Sequence, residues 1–121
     1  MWGLTTKHQY YLYRGVTDMR RSFDALSGMV RSEFKSDPLN GSVYIFINRP
    51  RNQIKLLIWD ASGFLLYHKR LEKGTFERFV KEESGVATIS LVELTMLLEG
   101  ISLKNMCGRE RYTRPSVIPN G

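Results

Sequence analysis

Three strand-like segments follow one another between residues 42 and 71, joined by links too short to cross over a sheet. Segments 42–48 (SVYIFIN), 53–60 (QIKLLIWD) and 64–71 (FLLYHKRL) alternate β-branched, aliphatic and aromatic residues with the period of a strand. Their connections are residues 49–52 and 61–63. Parallel neighbours need a crossover of about a dozen residues or more, so these links dictate antiparallel hairpins. The middle segment is apolar on both faces, Ile54, Leu56 and Ile58 alternating with Leu57 and Trp59, as a central strand covered by a helix must be. The expectation is a three-stranded antiparallel meander, four-stranded if residues 10–13 (YYLY) join at an edge.

Upstream, Met19, Phe23, Leu26, Val30 and Phe34 recur at helical spacing. Thr17 is placed to cap this helix and Asp18 to complement its dipole, which predicts an amphipathic helix over residues 18–34. Arg20, Asp24, Ser27 and Arg31 fall on its outer side, and the run Asp37-Pro38-Leu39-Asn40-Gly41 carries strong turn chemistry beyond its end. Downstream, residues 86–89 suit a short strand. Ser90-Leu91-Val92-Glu93 forms a capping box, from which Leu91, Leu94, Leu97 and Leu98 build a short helix closing at Gly100. The fold class is therefore α+β: an antiparallel three- to four-stranded meander, one long helix packed on it and a short C-terminal helix. Residues 1–104 are expected to form the single domain, and residues 105–121, with little periodicity, a basic tail.

A chain of 121 residues can bury a core without staples. Its single cysteine, Cys107, cannot close an intrachain disulfide, and its longest apolar runs are far too short to span a bilayer. The first 13 residues lack the apolar core of a secretory signal. These features exclude a disulfide scaffold and a membrane span, and point to the cytoplasm.

Charge is the first positive clue to function. Eighteen Lys and Arg oppose twelve Asp and Glu, a net +6. Residues 49–81 concentrate the excess, with eight basic and three acidic residues, whereas residues 82–103 carry four acidic residues and no basic one. A basic segment of this kind suits polyanions, through release of counterions from phosphates. In an up-down-up meander, residues 49–52 and the end of the third strand lie at the same end of the sheet. That topology gathers Arg49, Arg51, Lys55, Lys69, Arg70 and Lys73 into one neighbourhood as candidate DNA-phosphate contacts, with weak sequence specificity expected. Trp59, Tyr44 and Tyr67 are suited to stacking on bases, but aromatics in strands this apolar more often serve the core.

Three stretches together resemble a known family: TDMRRSFDAL (17–26), IKLLIWDASGFLLYHKRLEKGTF (54–76) and LTMLLEGISL (94–103). In order and spacing they are similar to the accessory protein of the insertion sequence 66 family of bacterial transposons, and the likeness spans residues 10–103. The resemblance implies a role in transposition beside a separate transposase, which carries the cutting and joining chemistry and is the implied protein partner. It brings over no catalytic residues.

The chain's own residues give no reason to add any. A two-metal nuclease site needs converging carboxylates. Of the candidates, Asp18 is explained by a helix start, Asp60 by the hairpin it enters and Glu99 by a helix end. His8, His68 and Cys107 are not spaced as zinc ligands, and no Walker-type loop is present. No enzymatic activity, metal or cofactor is expected. Two further readings stand beside DNA binding: a pure protein adaptor that docks the transposase through the 91–98 helix and the acidic 82–103 segment, and, less favoured, a metal-dependent nuclease.

Overall fold

The computed structural model describes residues 4–77 and 85–99. Its elements run β1 (Tyr10–Tyr13), α1 (Phe23–Ser32), β2 (Val43–Ile47), β3 (Gln53–Trp59), β4 (Phe64–Arg70), β5 (Val86–Ile89) and α2 (Leu91–Glu99). The five strands form one sheet in the order β4-β3-β2-β1-β5. The hairpins foreseen from the short links are present: β2 pairs antiparallel with β3, and β3 with β4 in a register running from Gln53↔Arg70 to Trp59↔Phe64.

The sheet as a whole is mixed, which corrects the expectation of an antiparallel one. β1 pairs in parallel with β2, Tyr10 opposite Val43, and antiparallel with β5, Tyr10 opposite Ile89. So β1 is an interior strand, and β5 and β4 are the edges. The physical reason lies in the connection: between Tyr13 and Val43 the chain has room for the crossover that parallel strands require, and α1 is that crossover.

Helix α1 is also shorter than the apolar spacing suggests. Thr17 does not cap it: its N–H donates to Ile47 O at 3.0 Å and its side chain is buried. Asp18 instead closes a local turn, accepting from Arg20 N–H at 2.9 Å, while Arg21 N–H donates to Asp18 O at 3.1 Å. The carbonyls of Met19 and Arg21, which a helix from Asp18 would have used internally, are taken by the Lys55 ammonium at 2.9 and 2.7 Å. The first helical turn forms only after them, with Leu26 N–H on Ser22 O. At the other end Lys35 adopts φ 55 and Ser36 N–H reaches back to Val30 O at 3.1 Å, a left-handed cap that brings Phe34 down onto the sheet.

Each face of the sheet carries a core. On one, Leu26, Val30 and Phe34 cover Tyr44, Phe46 and Leu57, with Phe34 meeting Tyr44 and Phe46 edge-to-face at 4.9 and 5.5 Å. Phe23 is left 43% exposed because it lies in the first turn, and Ser27, expected outside, is buried with its hydroxyl donating to Asp24 O. On the other face, Leu94, Leu97 and Leu98 of α2 join Phe76 over Val43, Ile45, Leu56 and Ile58. The capping box of α2 is made in both directions: Ser90 N–H donates to Glu93 Oε1 at 2.8 Å, and Glu93 N–H to Ser90 Oγ at 3.0 Å. β2 is buried throughout, because both helices cover it. Among the described residues no helix is long and apolar enough to cross a membrane. The 105–121 segment expected as a basic tail, and Gly100, lie outside the described residues.

Candidate nucleic-acid interface

The end of the sheet at the β2–β3 hairpin is where the basic residues meet. Gln53 pairs with Arg70, and Leu71 N–H donates to Asn52 O at 2.8 Å, so the end of β4 lies against the hairpin. Asn48 builds the loop: its side-chain carbonyl accepts from Asn52 and Gln53 N–H at 3.0 and 2.9 Å, and its amide donates to Asn52 Oδ1. Arg49 and Pro50 are thereby held out at the exposed tip.

The six candidate residues divide into two groups of different work. Arg49, Arg70 and Lys73 are exposed. Arg70 makes an ion pair with Glu72 at 3.1 Å, both side chains more than 60% exposed. The other three hold the fold together through backbone carbonyls. Lys55 is only 6% exposed and turns under the α1 face to bind Met19 O and Arg21 O. Burial pulls its ammonium below the ordinary lysine value, and the charge of Asp18 acts the other way. Lys69 lies on the opposite face of the sheet from Arg70, since adjacent residues of a strand point apart. Its ammonium donates to Leu98 O at 2.7 Å and so caps the C-terminal end of α2, which has no basic residue in its own last turn. Arg51, at φ 60 in the hairpin, donates from Nε to Phe76 O at 2.9 Å and from Nη2 to Glu77 O at 3.1 Å.

Two side chains outside the candidate set share this end. His68 stands opposite Lys55 on β4 and shares a 2.8 Å hydrogen bond with Gln53 Oε1, in which the Nε2–H tautomer donates. Partial burial, then the charges of Lys55 and Arg70, hold its imidazole below the ordinary histidine value, so it is neutral near pH 7. Arg21, exposed just before α1, faces Arg49 and Gln53 across an open cleft of about 650 Å³. The pairing rule of a hairpin could have located His68 beside Lys55 and Arg70. Nothing local could have brought Arg21 there, because its position depends on where the crossover helix lands.

Of the acidic residues nearby, Asp18 and Glu72 are each engaged by an arginine. Asp18 accepts three hydrogen bonds from the Arg20 guanidinium as well as the Arg20 backbone N–H, and these hold its carboxyl well below the usual carboxylate range. Among the described residues no three His, Cys, Asp or Glu side chains converge as metal ligands. Asp60, the carboxylate of interest for a nuclease, is exposed, and its N–H closes the β3–β4 turn on Gly63 O. Of the aromatics, Tyr44 is fully buried, Tyr67 is half-buried against the α2-side core, and Trp59 is half-buried against Phe64 at 5.1 Å.

Comparison with known proteins agrees with the sequence resemblance. The family described as "IS66 Orf2 like protein" matches residues 8–108. Two curated relatives, both from Sinorhizobium fredii (strain NBRC 101917 / NGR234), carry the names "Uncharacterized protein y4hO" and "Uncharacterized protein y4jC". The first is 34% identical over 95 residues, covering 78% of this chain and 82% of the relative. The second is 31% identical over 101 residues, covering 84% and 85%. No solved structure matches the chain significantly. The match extends over all five strands and both helices, and the chain belongs to the IS66 Orf2-like family of transposition-associated proteins.

Proposed function

We propose that the chain is a non-catalytic accessory protein of transposition, working in the cytoplasm beside the element's transposase and holding DNA by its phosphates. The observation that carries this reading is the placement of Arg49 and Arg70 at the hairpin end of the sheet, with Arg21 and His68 alongside and Lys73 exposed in the segment that follows β4. Phosphate contacts position a protein without reading bases, so binding is weakly specific. Arg70 gives up little by turning to a phosphate, because an exposed pair such as Arg70–Glu72 contributes about 0–1 kcal/mol.

The test is duplex binding across a salt series. Arg49→Ala with Arg70→Ala removes two phosphate contacts and leaves the backbone ties of Arg51, Lys55 and Lys69 in place. Binding is expected to weaken for all sequences alike. The slope of log affinity against log salt should flatten by about 1.8, at about 0.9 per contact. An unchanged affinity and slope would move DNA binding elsewhere, to the 109–114 segment, or leave the adaptor reading. That second reading has one observation in its favour: Val92, on the outer side of α2, is 66% exposed. Co-purification of the transposase that is lost on Val92→Asp, with duplex binding absent, would establish it in place of the first.

A further inference from the structure

The cleft between the hairpin, α1 and the residues leaving β1 has features that phosphate binding does not use. It lies beyond the C-terminal ends of β1 and β2, the parallel pair of the sheet. In open sheets with parallel strands, crevices at that end are the usual ligand sites. Its volume of about 650 Å³ falls within the range of about 300–1,000 Å³ of small-ligand sites. Its lining is mixed: Tyr13, Met19, Met29 and Pro50, with Val16 half-exposed at the side, stand among polar and charged residues. The Tyr13 ring packs near Phe34, 6.0 Å away, and close to Gly15, where an added Cβ would come within 2.6 Å of it. Arg21 and Arg49 stand at the rim; of the two acids lining the cleft, Asp18 is already bound by Arg20, which leaves Glu33 against two guanidiniums. Thr17 also lines the cleft, and its buried hydroxyl has no hydrogen-bond partner among the described residues.

We propose that this cleft receives an unstacked base of single-stranded DNA, the base lying between the Tyr13 ring and the methionine thioethers while Arg21 and Arg49 hold the flanking phosphates. The proposal rests on the DNA-binding reading above and extends it from phosphates to bases. The chemistry fits a base better than an extended peptide. Strand addition needs an open sheet edge, and β1 and β2, which lead into the cleft, each have a strand on both sides. Base stacking needs only a flat polarisable surface, which tyrosine and thioether sulfur both supply, beside a cationic rim.

The full-length chain would be titrated with three DNAs of equal length: an oligothymidine strand, an abasic strand of the same charge, and a duplex. The oligothymidine should bind at least five-fold tighter than the abasic strand, the lower end expected for one stacked base. Val16→Glu, a change at a half-exposed position in the cleft wall, should reduce that ratio to near one, and Met29→Gln should do the same should the first variant prove unstable. Equal affinity of the wild-type chain for the thymidine and abasic strands would overturn the base site, and with duplex binding retained it would leave the phosphate reading standing. A ratio unaltered in both folded variants would place base contact outside this cleft and also overturn the proposal. Failure to bind any of the three would remove the phosphate reading and the base site together.

Discussion

Replacing Phe76 by alanine is expected to destabilise the protein by about 4 kcal/mol. Phe76 is 1% exposed and packs with Leu94, Leu97 and Leu98 against the sheet, and truncating a buried phenylalanine removes its transfer energy and leaves a cavity, a loss of about 3–5 kcal/mol. The site has little means of collapse, since its backbone is fixed: Phe76 N–H donates to Arg51 O at 2.6 Å while the Arg51 guanidinium returns to the carbonyls of Phe76 and Glu77. Arg51→Ala should therefore destabilise by about 2 kcal/mol through loss of charge-assisted hydrogen bonds. Arg51→Gly should lose about 1 kcal/mol less, because glycine relieves the φ of 60. The double variant should depart from additivity by more than about 0.5 kcal/mol, as expected of groups sharing one clamp. Equilibrium urea unfolding measures all four. An Arg51→Ala variant within about 0.5 kcal/mol of the parent would return Arg51 to the exposed set.

Lys55→Met is expected to destabilise by about 2 kcal/mol, a downward shift of about 1 M in the urea midpoint for a protein of this size. Methionine keeps the buried stem, so the change isolates the ammonium and its two carbonyls. Opposing effects meet here. Burial disfavours the charge, as the lowered pKa shows, and exchanging a buried charge for an apolar group can be stabilising. The carbonyls decide the sign. Met19 O and Arg21 O would each lose a partner at 2.9 or 2.7 Å, and the turn before α1 has no side-chain cap at Ser22 to compensate. Both sit in part-buried surroundings that water can partly reach, which keeps the estimate at the lower end. A second consequence is structural: with the carbonyls released, residues 18–22 are free to join the helix, and an increase in helical circular dichroism would register it. A variant as stable as the parent would mean that this turn is held by Asp18 alone.

Period-two alternation and short links were sufficient to determine the β2-β3-β4 meander, because a hairpin is local and its register follows from the turn. The Ser90–Glu93 box and the Leu94, Leu97, Leu98 stripe likewise determined α2 from nearest neighbours. Even the split of the basic set was partly legible: alternation alone places Lys69 across the sheet from His68 and Arg70, and a lysine in the middle of a strand apolar on both faces has to turn inward. The remaining features depend on contacts between residues far apart in the chain. Tyr10 pairs with both Val43 and Ile89, so the place of β1 is set by partners on two sides that no local pattern encodes. The true start of α1 is set by Lys55, 34 and 36 residues away, which takes the carbonyls a longer helix would need. Propensity at residues 18–22 differs from that outcome by tenths of a kcal/mol per residue, and two charge-assisted hydrogen bonds outweigh it. For the same reason three of the six basic residues fell to structural work: a long cationic side chain goes to the nearest unmet carbonyl, and only the folded chain decides which carbonyls those are.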